Sequence, residues 1–225
     1  MKYGAIFDVD GTLLDSMPAW SHVYVDYLTA RSLPPDPAME KKLNLMSMEQ
    51  IAAYYQTRYG IADDAATIIR DQVALMEQAY RETIPLKPGV KEFLLMLKAR
   101  GIPMAIATAS ERHAVTAALR RCGVLSLFPV FLTCTDVGHG KDEPDLFLRC
   151  AEEMGTRPEN TPVFDDSVHA VCTAHRAGFP VIGVQDDSAR DDEPVIRAHS
   201  RRFIRSFSEL LEGPRPFSFR DICRR

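Results

Sequence analysis

No pair of cysteines stands at CxxC spacing anywhere in this 225-residue chain. Its five cysteines, Cys122, Cys134, Cys150, Cys172 and Cys223, are scattered. No ligand spacing supports a zinc site, and the pattern fits reduced thiols of a cytoplasmic protein. No apolar run approaches the roughly 20 residues that a membrane span needs. The first strand pattern begins almost at once, so no secretory leader is expected. Internal repeats and low-complexity segments are missing as well. The formal net charge of −4 gives no reason to expect nucleic acid or an anionic membrane as partner. What remains is a chain with 46% hydrophobic residues, long enough for one or two domains with a sizeable core.

The most informative stretch is Ile6-Phe7-Asp8-Val9-Asp10-Gly11-Thr12-Leu13-Leu14-Asp15. Residues 3–7 are mostly apolar, as a buried parallel strand requires. The strand then stops in two carboxylates one residue apart, followed by a glycine suited to a sharp turn close to a ligand. Ligands of open α/β sheets bind beyond the carboxyl ends of the strands. Two crowded carboxylates there call for a cation, and an oxygen-only donor set suits Mg²⁺.

From this point the pattern becomes helical. Residues 19–31 read as a first helix, broken by Leu33-Pro34-Pro35-Asp36-Pro37. Ser47-Met48-Glu49-Gln50 has the form of a capping box opening a second helix to Tyr59, with Gly60 as its stop. A third helix covers 62–82, with Ile69, Val73 and Met76 on one face. Strand patterns return only after Pro85-Leu86-Lys87-Pro88-Gly89: residues 103–108, 130–133, 162–164, 181–184 and 203–204 alternate with helices, Ser110 being a candidate cap of the helix at 111–122. Strand–helix alternation implies a parallel sheet with right-handed crossovers. The expected architecture is therefore an α/β, Rossmann-like core of residues 1–15 and 85–225 with an all-helical insert at 16–84. The basic tail after Pro214 reads as an exposed end.

Three later stations place polar residues at strand ends: Thr108-Ala109-Ser110, Gly140-Lys141-Asp142-Glu143-Pro144-Asp145, and Val163-Phe164-Asp165-Asp166-Ser167. Each is weak alone, since Ser and Thr are ordinary helix caps and a loop lysine is normally solvated. In order and spacing, the four stretches together resemble the four motifs of the haloacid dehalogenase-like (HAD) phosphohydrolase superfamily over residues 2 to 186. The insert resembles the helical cap of its phosphoglycolate phosphatase and β-phosphoglucomutase-like subgroup. The third motif departs from the common GKPxPD form at Asp142-Glu143. In the fourth, Asp165 stands where Glu is frequent and Ala170 where Gly is frequent.

The resemblance implies that Asp8 is a nucleophile forming an aspartyl-phosphate and that Asp10 is the general acid/base. Thr108 and the Ala109 amide would hold the phosphoryl group, and Lys141 would bind both Asp8 and the phosphoryl oxygens. Mg²⁺ would take a carboxylate oxygen of Asp8, the backbone carbonyl of Asp10 and a carboxylate of Asp166, with Asp165 as a neighbour or extra ligand. The expected activity is Mg²⁺-dependent hydrolysis of a small phosphorylated metabolite. A sugar phosphomutase is the alternative. It is disfavoured because residues 43–48 have neither the Gly nor the Arg usual in the cap segment of β-phosphoglucomutases. A non-catalytic binding protein on the same fold is a third reading, at odds with the retained catalytic residues. Tyr24, Trp20, Met46 and Met48 are candidate pocket residues, although apolar residues at helical spacing are more often core.

Overall fold

The computed structural model describes residues 2–36, 46, 48–211 and 217–223. The chain divides into two compact units, Met1–Asp15 with Pro85–Arg225, and Ser16–Ile84.

The first unit is built on six strands: β1 (Ala5–Phe7), β2 (Met104–Thr108), β3 (Val130–Thr133), β4 (Val163–Asp165), β5 (Val181–Val184) and β6 (Arg202–Ile204). They form one parallel sheet in the order β3-β2-β1-β4-β5-β6. Helices cover both faces, so the central strands are buried throughout, which explains their unbroken apolar runs. Strand alternation divides the core in two. Ile6, Ala105, Ala107 and Val163 face one way, into a cluster with Leu146, Phe147, Cys150 and Val171. Phe7 and Phe164 face the other way, stacked at 4.5 Å, with Phe93, Phe128 and Phe207 around them. The chain end closes this side: Phe217, Phe219 and Ile222 are buried, and Phe217 meets Phe93 edge-on at 5.2 Å. The expected exposed tail is corrected there; residues 212–216 and 224–225 lie outside the described residues.

The second unit is helical: Met17–Thr29, Met48–Tyr59 and Ala65–Glu82, with no strand among its described residues. Pro18 starts the first helix where a missing N–H costs nothing, and Asp64 caps the last by accepting from the Thr67 amide at 2.8 Å. The buried face of that last helix is Ile68, Gln72, Met76 and Tyr80; Val73 is exposed. Of the expected face, Met76 is buried and Ile69 packs partly buried against the core, but Val73 points outward, because the inward Gln72 interrupts the apolar pattern. Its amide oxygen accepts from the Tyr55 hydroxyl at 3.4 Å. The unit's core is aromatic: Tyr27 stacks on Tyr55 at 5.0 Å, and the Tyr24 and Tyr59 hydroxyls share a hydrogen bond of 2.8 Å. Tyr24 and Met46 pack into this core and Trp20 is partly exposed. Ser47 and most of the 43–48 segment lie outside the described residues. Among the described residues no helix is long and apolar enough to cross a membrane.

Candidate active site at the strand ends

In the order β3-β2-β1-β4-β5-β6 the chain reverses direction of winding beside β1, and such a switch point opens a crevice at the carboxyl ends of the strands. Register fixes what meets there. Phe7 pairs with Ile106 on one side and Phe164 on the other, so the residues that follow, Asp8, Thr108, Asp165 and Asp166, emerge together. The Asp8 amide completes the ladder by donating to the Phe164 carbonyl at 3.0 Å.

Asp8, Asp165 and Asp166 each bring a carboxylate oxygen within 4.8 Å of the others, and all three are buried. The Lys141 ammonium bridges two of them, donating to Asp8 Oδ1 and to Asp165 Oδ2 at 2.9 Å. Asp165 is further held through Oδ1, which accepts from the Ser167 amide at 2.9 Å. Asp166 Oδ1 accepts from the buried Thr12 hydroxyl at 2.7 Å. Gly11 makes this packing feasible. Its φ of +76° favours glycine, and a Cβ there would stand 2.3 Å from Asp166 Oδ2.

Electrostatics follow from that crowding. Burial pushes the Asp8 carboxyl well above the usual range and the Asp165 and Asp166 charges add to it, against the opposing pull of Lys141. Burial, then Asp165, raises Asp166 to about 7, with the Thr12 hydrogen bond opposing. Burial works against the Lys141 ammonium, yet the Asp165 and Asp8 charges outweigh it and lift its pKa above that of an ordinary lysine. Three carboxylates share one ammonium, so the cluster lacks positive charge. An all-oxygen set with that deficit fits a hard divalent cation.

Asp10 is not one of these three clustered carboxylates. Its Oδ2 accepts from the Ser110 hydroxyl at 2.5 Å, and the Ser110 amide donates to Thr108 Oγ1 at 3.1 Å. Ser110 is therefore not the cap expected for the following helix, Arg112–Arg121, whose N-cap is Glu111. Ala109 lies exposed between Thr108 and Ser110. The structure thus gathers Asp8, Lys141, Asp165 and Asp166 into one cluster and joins Asp10 to the Thr108–Ser110 turn. Sequence reasoning left Thr12 without a role and gave the Ser110 side chain only that of a helix cap. Their place within motif stretches was the available signal, but the bonds they make span 154 and 100 positions.

The haloacid dehalogenase-like hydrolase family matches residues 4–178 of the chain. Hexitol phosphatase A of Escherichia coli (strain K12) is 30% identical over 199 residues, which cover 88% of this chain and 90% of that protein. Hexitol phosphatase B of the same strain is 25% identical over 92% of this chain and 93% of its own length. A HAD family hydrolase from Deinococcus radiodurans R1, crystallised with bound phosphate and sodium, superimposes with a TM-score of 0.74 at 26% identity, covering 93% of each chain. A protein from Thermotoga maritima described as a putative β-phosphoglucomutase superimposes with a TM-score of 0.82 at 23% identity over 94% of this chain and 97% of its own, a likeness of fold.

Proposed function

The chain belongs to the haloacid dehalogenase-like hydrolase family, and on that footing we propose that it is a Mg²⁺-dependent phosphatase acting through an aspartyl-phosphate on Asp8. The observation that carries this reading is the cluster itself: Asp8 meets Asp165 and Asp166 and accepts from Lys141, while the Asp10 carboxylate beside it in sequence accepts from Ser110.

In the first step an Asp8 carboxylate oxygen attacks phosphorus in line with the ester oxygen, whose bond to phosphorus breaks. Asp10, protonated, gives its proton to the departing alkoxide, so an alcohol leaves. In the second step water attacks the phosphorus of the acyl phosphate. Asp10, now a carboxylate, takes the water proton, and Asp8 is regenerated with release of inorganic phosphate. Lys141 holds Asp8 in position and neutralises charge on the transferring group, and Thr108 with the Ala109 N–H binds its remaining oxygens. Asp8, Asp166, the Asp10 backbone carbonyl and the neighbouring Asp165 would hold Mg²⁺. When bound, the ion supplies further neutralisation of phosphoryl charge.

Sugar or sugar-alcohol phosphates are the substrate class favoured by the relatives, which include proteins named hexitol phosphatase, phosphorylated carbohydrates phosphatase and fructose-1-phosphate phosphatase. Five free thiols suit the reducing cytoplasm. The test is release of inorganic phosphate from p-nitrophenyl phosphate and from a panel of sugar phosphates, with and without Mg²⁺. The expected result is metal-dependent turnover and trapping of Asp8 by BeF₃⁻. Turnover in EDTA equal to that in Mg²⁺ would refute the metal assignment. An isomeric sugar phosphate without phosphate release would establish the mutase instead.

A further inference from the structure

A second buried ion pair lies in the α/β unit, and no step above uses it. Lys87 follows the second boundary between the units by two residues. Its ammonium donates to Asp186 Oδ2 and to the Gln185 carbonyl, both at 2.7 Å. Lys87 and Asp186 side chains are only 11% and 6% exposed. Asp186 is saturated from the other side as well: its Oδ1 accepts from the Ser188 amide at 2.9 Å and the Ser188 hydroxyl at 2.7 Å.

The Lys87 backbone is tied to a different place. Its amide donates to the Leu13 carbonyl at 2.9 Å, Leu86 bridges to Leu14, and the Asp15 amide donates to the Pro85 carbonyl at 3.0 Å. Leu13 ends the turn Asp10-Gly11-Thr12, and that turn is what grips Asp166, through the Thr12 hydroxyl and through the close approach of Gly11. One residue therefore links the turn holding Asp166 to the chain leaving β5. A loop lysine that only needed solvation would point outward. This one accepts the desolvation cost of a buried ion pair, which offsets much of what the pair contributes to stability.

We infer that Lys87 and Asp186 are a positioning pair that holds the Gly11–Thr12 turn, and through it Asp166, in the geometry needed to bind the divalent cation. The inference rests on the metal reading of the Asp8–Asp165–Asp166 cluster. It assigns Lys87 and Asp186 no contact with substrate or metal. The electrostatic influence of the pair on Asp166 runs both ways, Asp186 raising its pKa and Lys87 lowering it, so removing both members together leaves the local net charge unchanged and isolates the mechanical link.

The decisive variant is accordingly the double substitution Lys87→Met with Asp186→Asn, compared with wild type, with Asp186→Asn alone and with the conservative Lys87→Arg. The probe is MgCl₂, titrated while the thermal midpoint is followed, which reads metal affinity without turnover. The double variant should bind Mg²⁺ about tenfold more weakly, the lower end of the range for residues that orient metal ligands at one remove. Its kcat at saturating Mg²⁺ should stay within about twofold of wild type, because the loss is in ground-state binding of the ion. Lys87→Arg keeps charge and reach and should restore most of the affinity. If that double variant does not fold, the milder charge-neutral pair Lys87→Gln with Asp186→Asn carries the test, with the same direction and a smaller loss. Unchanged Mg²⁺ affinity in a folded variant overturns the inference alone. A wild-type protein that takes up no Mg²⁺ overturns the metal site and the inference together. Lower stability in EDTA with an unaltered Mg²⁺ titration assigns the pair to structure only and likewise overturns it.

Discussion

The two units of this chain solve the problem of burying polar atoms in opposite ways. In the α/β unit the sheet interior is apolar: Phe7, Phe93, Phe164 and Phe207 pack ring against ring. Polar side chains are displaced to the strand ends, where Asp8, Thr108, Asp165 and Asp166 gather and meet Lys141. The helical unit has no such end. Its tyrosines carry hydroxyls into the middle of the core, and these are satisfied one by one: Tyr24 by Tyr59 and the Asp36 amide, Tyr55 by Gln72. Tyr27 fails, since its buried hydroxyl has no hydrogen-bond partner among the described residues, although the Arg31 guanidinium lies 3.8 Å above its ring. Segregated polarity permits a dense, preorganised charge cluster, whereas distributed polarity makes each buried hydroxyl depend on a partner of its own.

The sharpest break of that contrast removes chemistry from the α/β unit without removing structure. Asp8→Asn should abolish phosphate release and BeF₃⁻ trapping while circular dichroism shows a normal fold, because the exchange preserves volume and relieves like-charge crowding. Full activity in the folded variant would eliminate the covalent mechanism. Next in size, Asp10→Asn should lose about 10²–10⁴-fold in turnover, the typical worth of general acid/base catalysis. Its Mg²⁺ titration should be unaltered, since the Asp10 carboxylate lies outside the metal cluster; unchanged turnover would remove the proton-transfer role.

The aromatic core is probed by Phe164→Ala, which should cost about 3–5 kcal/mol in chemical denaturation, as a cavity opens among four surrounding rings. A loss below 1 kcal/mol, on the same order-of-magnitude scale, would mean that the phenylalanine face collapses freely.

A smaller effect concerns protons at the cluster. Folded Asp166 keeps its proton up to about pH 7, whereas an unfolded aspartate loses it near about 4. The folded state binds the extra proton between those limits, so this carboxyl's contribution is fully present below about pH 4 and is lost as pH rises through about 7. In EDTA, Asp166→Asn should therefore gain stability relative to wild type as pH is raised from 4 to 8, and added Mg²⁺ should reverse the order at pH 8. A pH-independent difference in thermal midpoint would contradict the assignment. The smallest effect is expected in the helical unit: Tyr27→Phe discards a hydroxyl without a partner and should change stability by less than about 1 kcal/mol, in the stabilising direction. A marked loss of stability would show that the hydroxyl is satisfied in solution.

Amino-acid order alone determined the fold class. Apolar runs mark the central strands of the parallel sheet, because strands buried on both faces admit little else. It also marked four stretches whose polar residues follow strands. Helix faces were less legible, as the choice of Val73 over Gln72 illustrates: a buried polar side chain is invisible to a hydrophobic pattern and depends on the Tyr55 hydroxyl across the core. Only the tertiary structure decided which charges meet. Lys141 bonds to Asp8 133 positions away and to Asp165 24 away, and Thr12 reaches Asp166 across 154. Ser110, read as a cap, became the partner of Asp10, and Lys87, read as turn punctuation, became the partner of Asp186. Periodicity reports how a residue lies relative to its own segment. Pairing depends on strand order and register, which arise when distant segments compete to bury the same apolar surface, and no local pattern encodes the outcome of that competition.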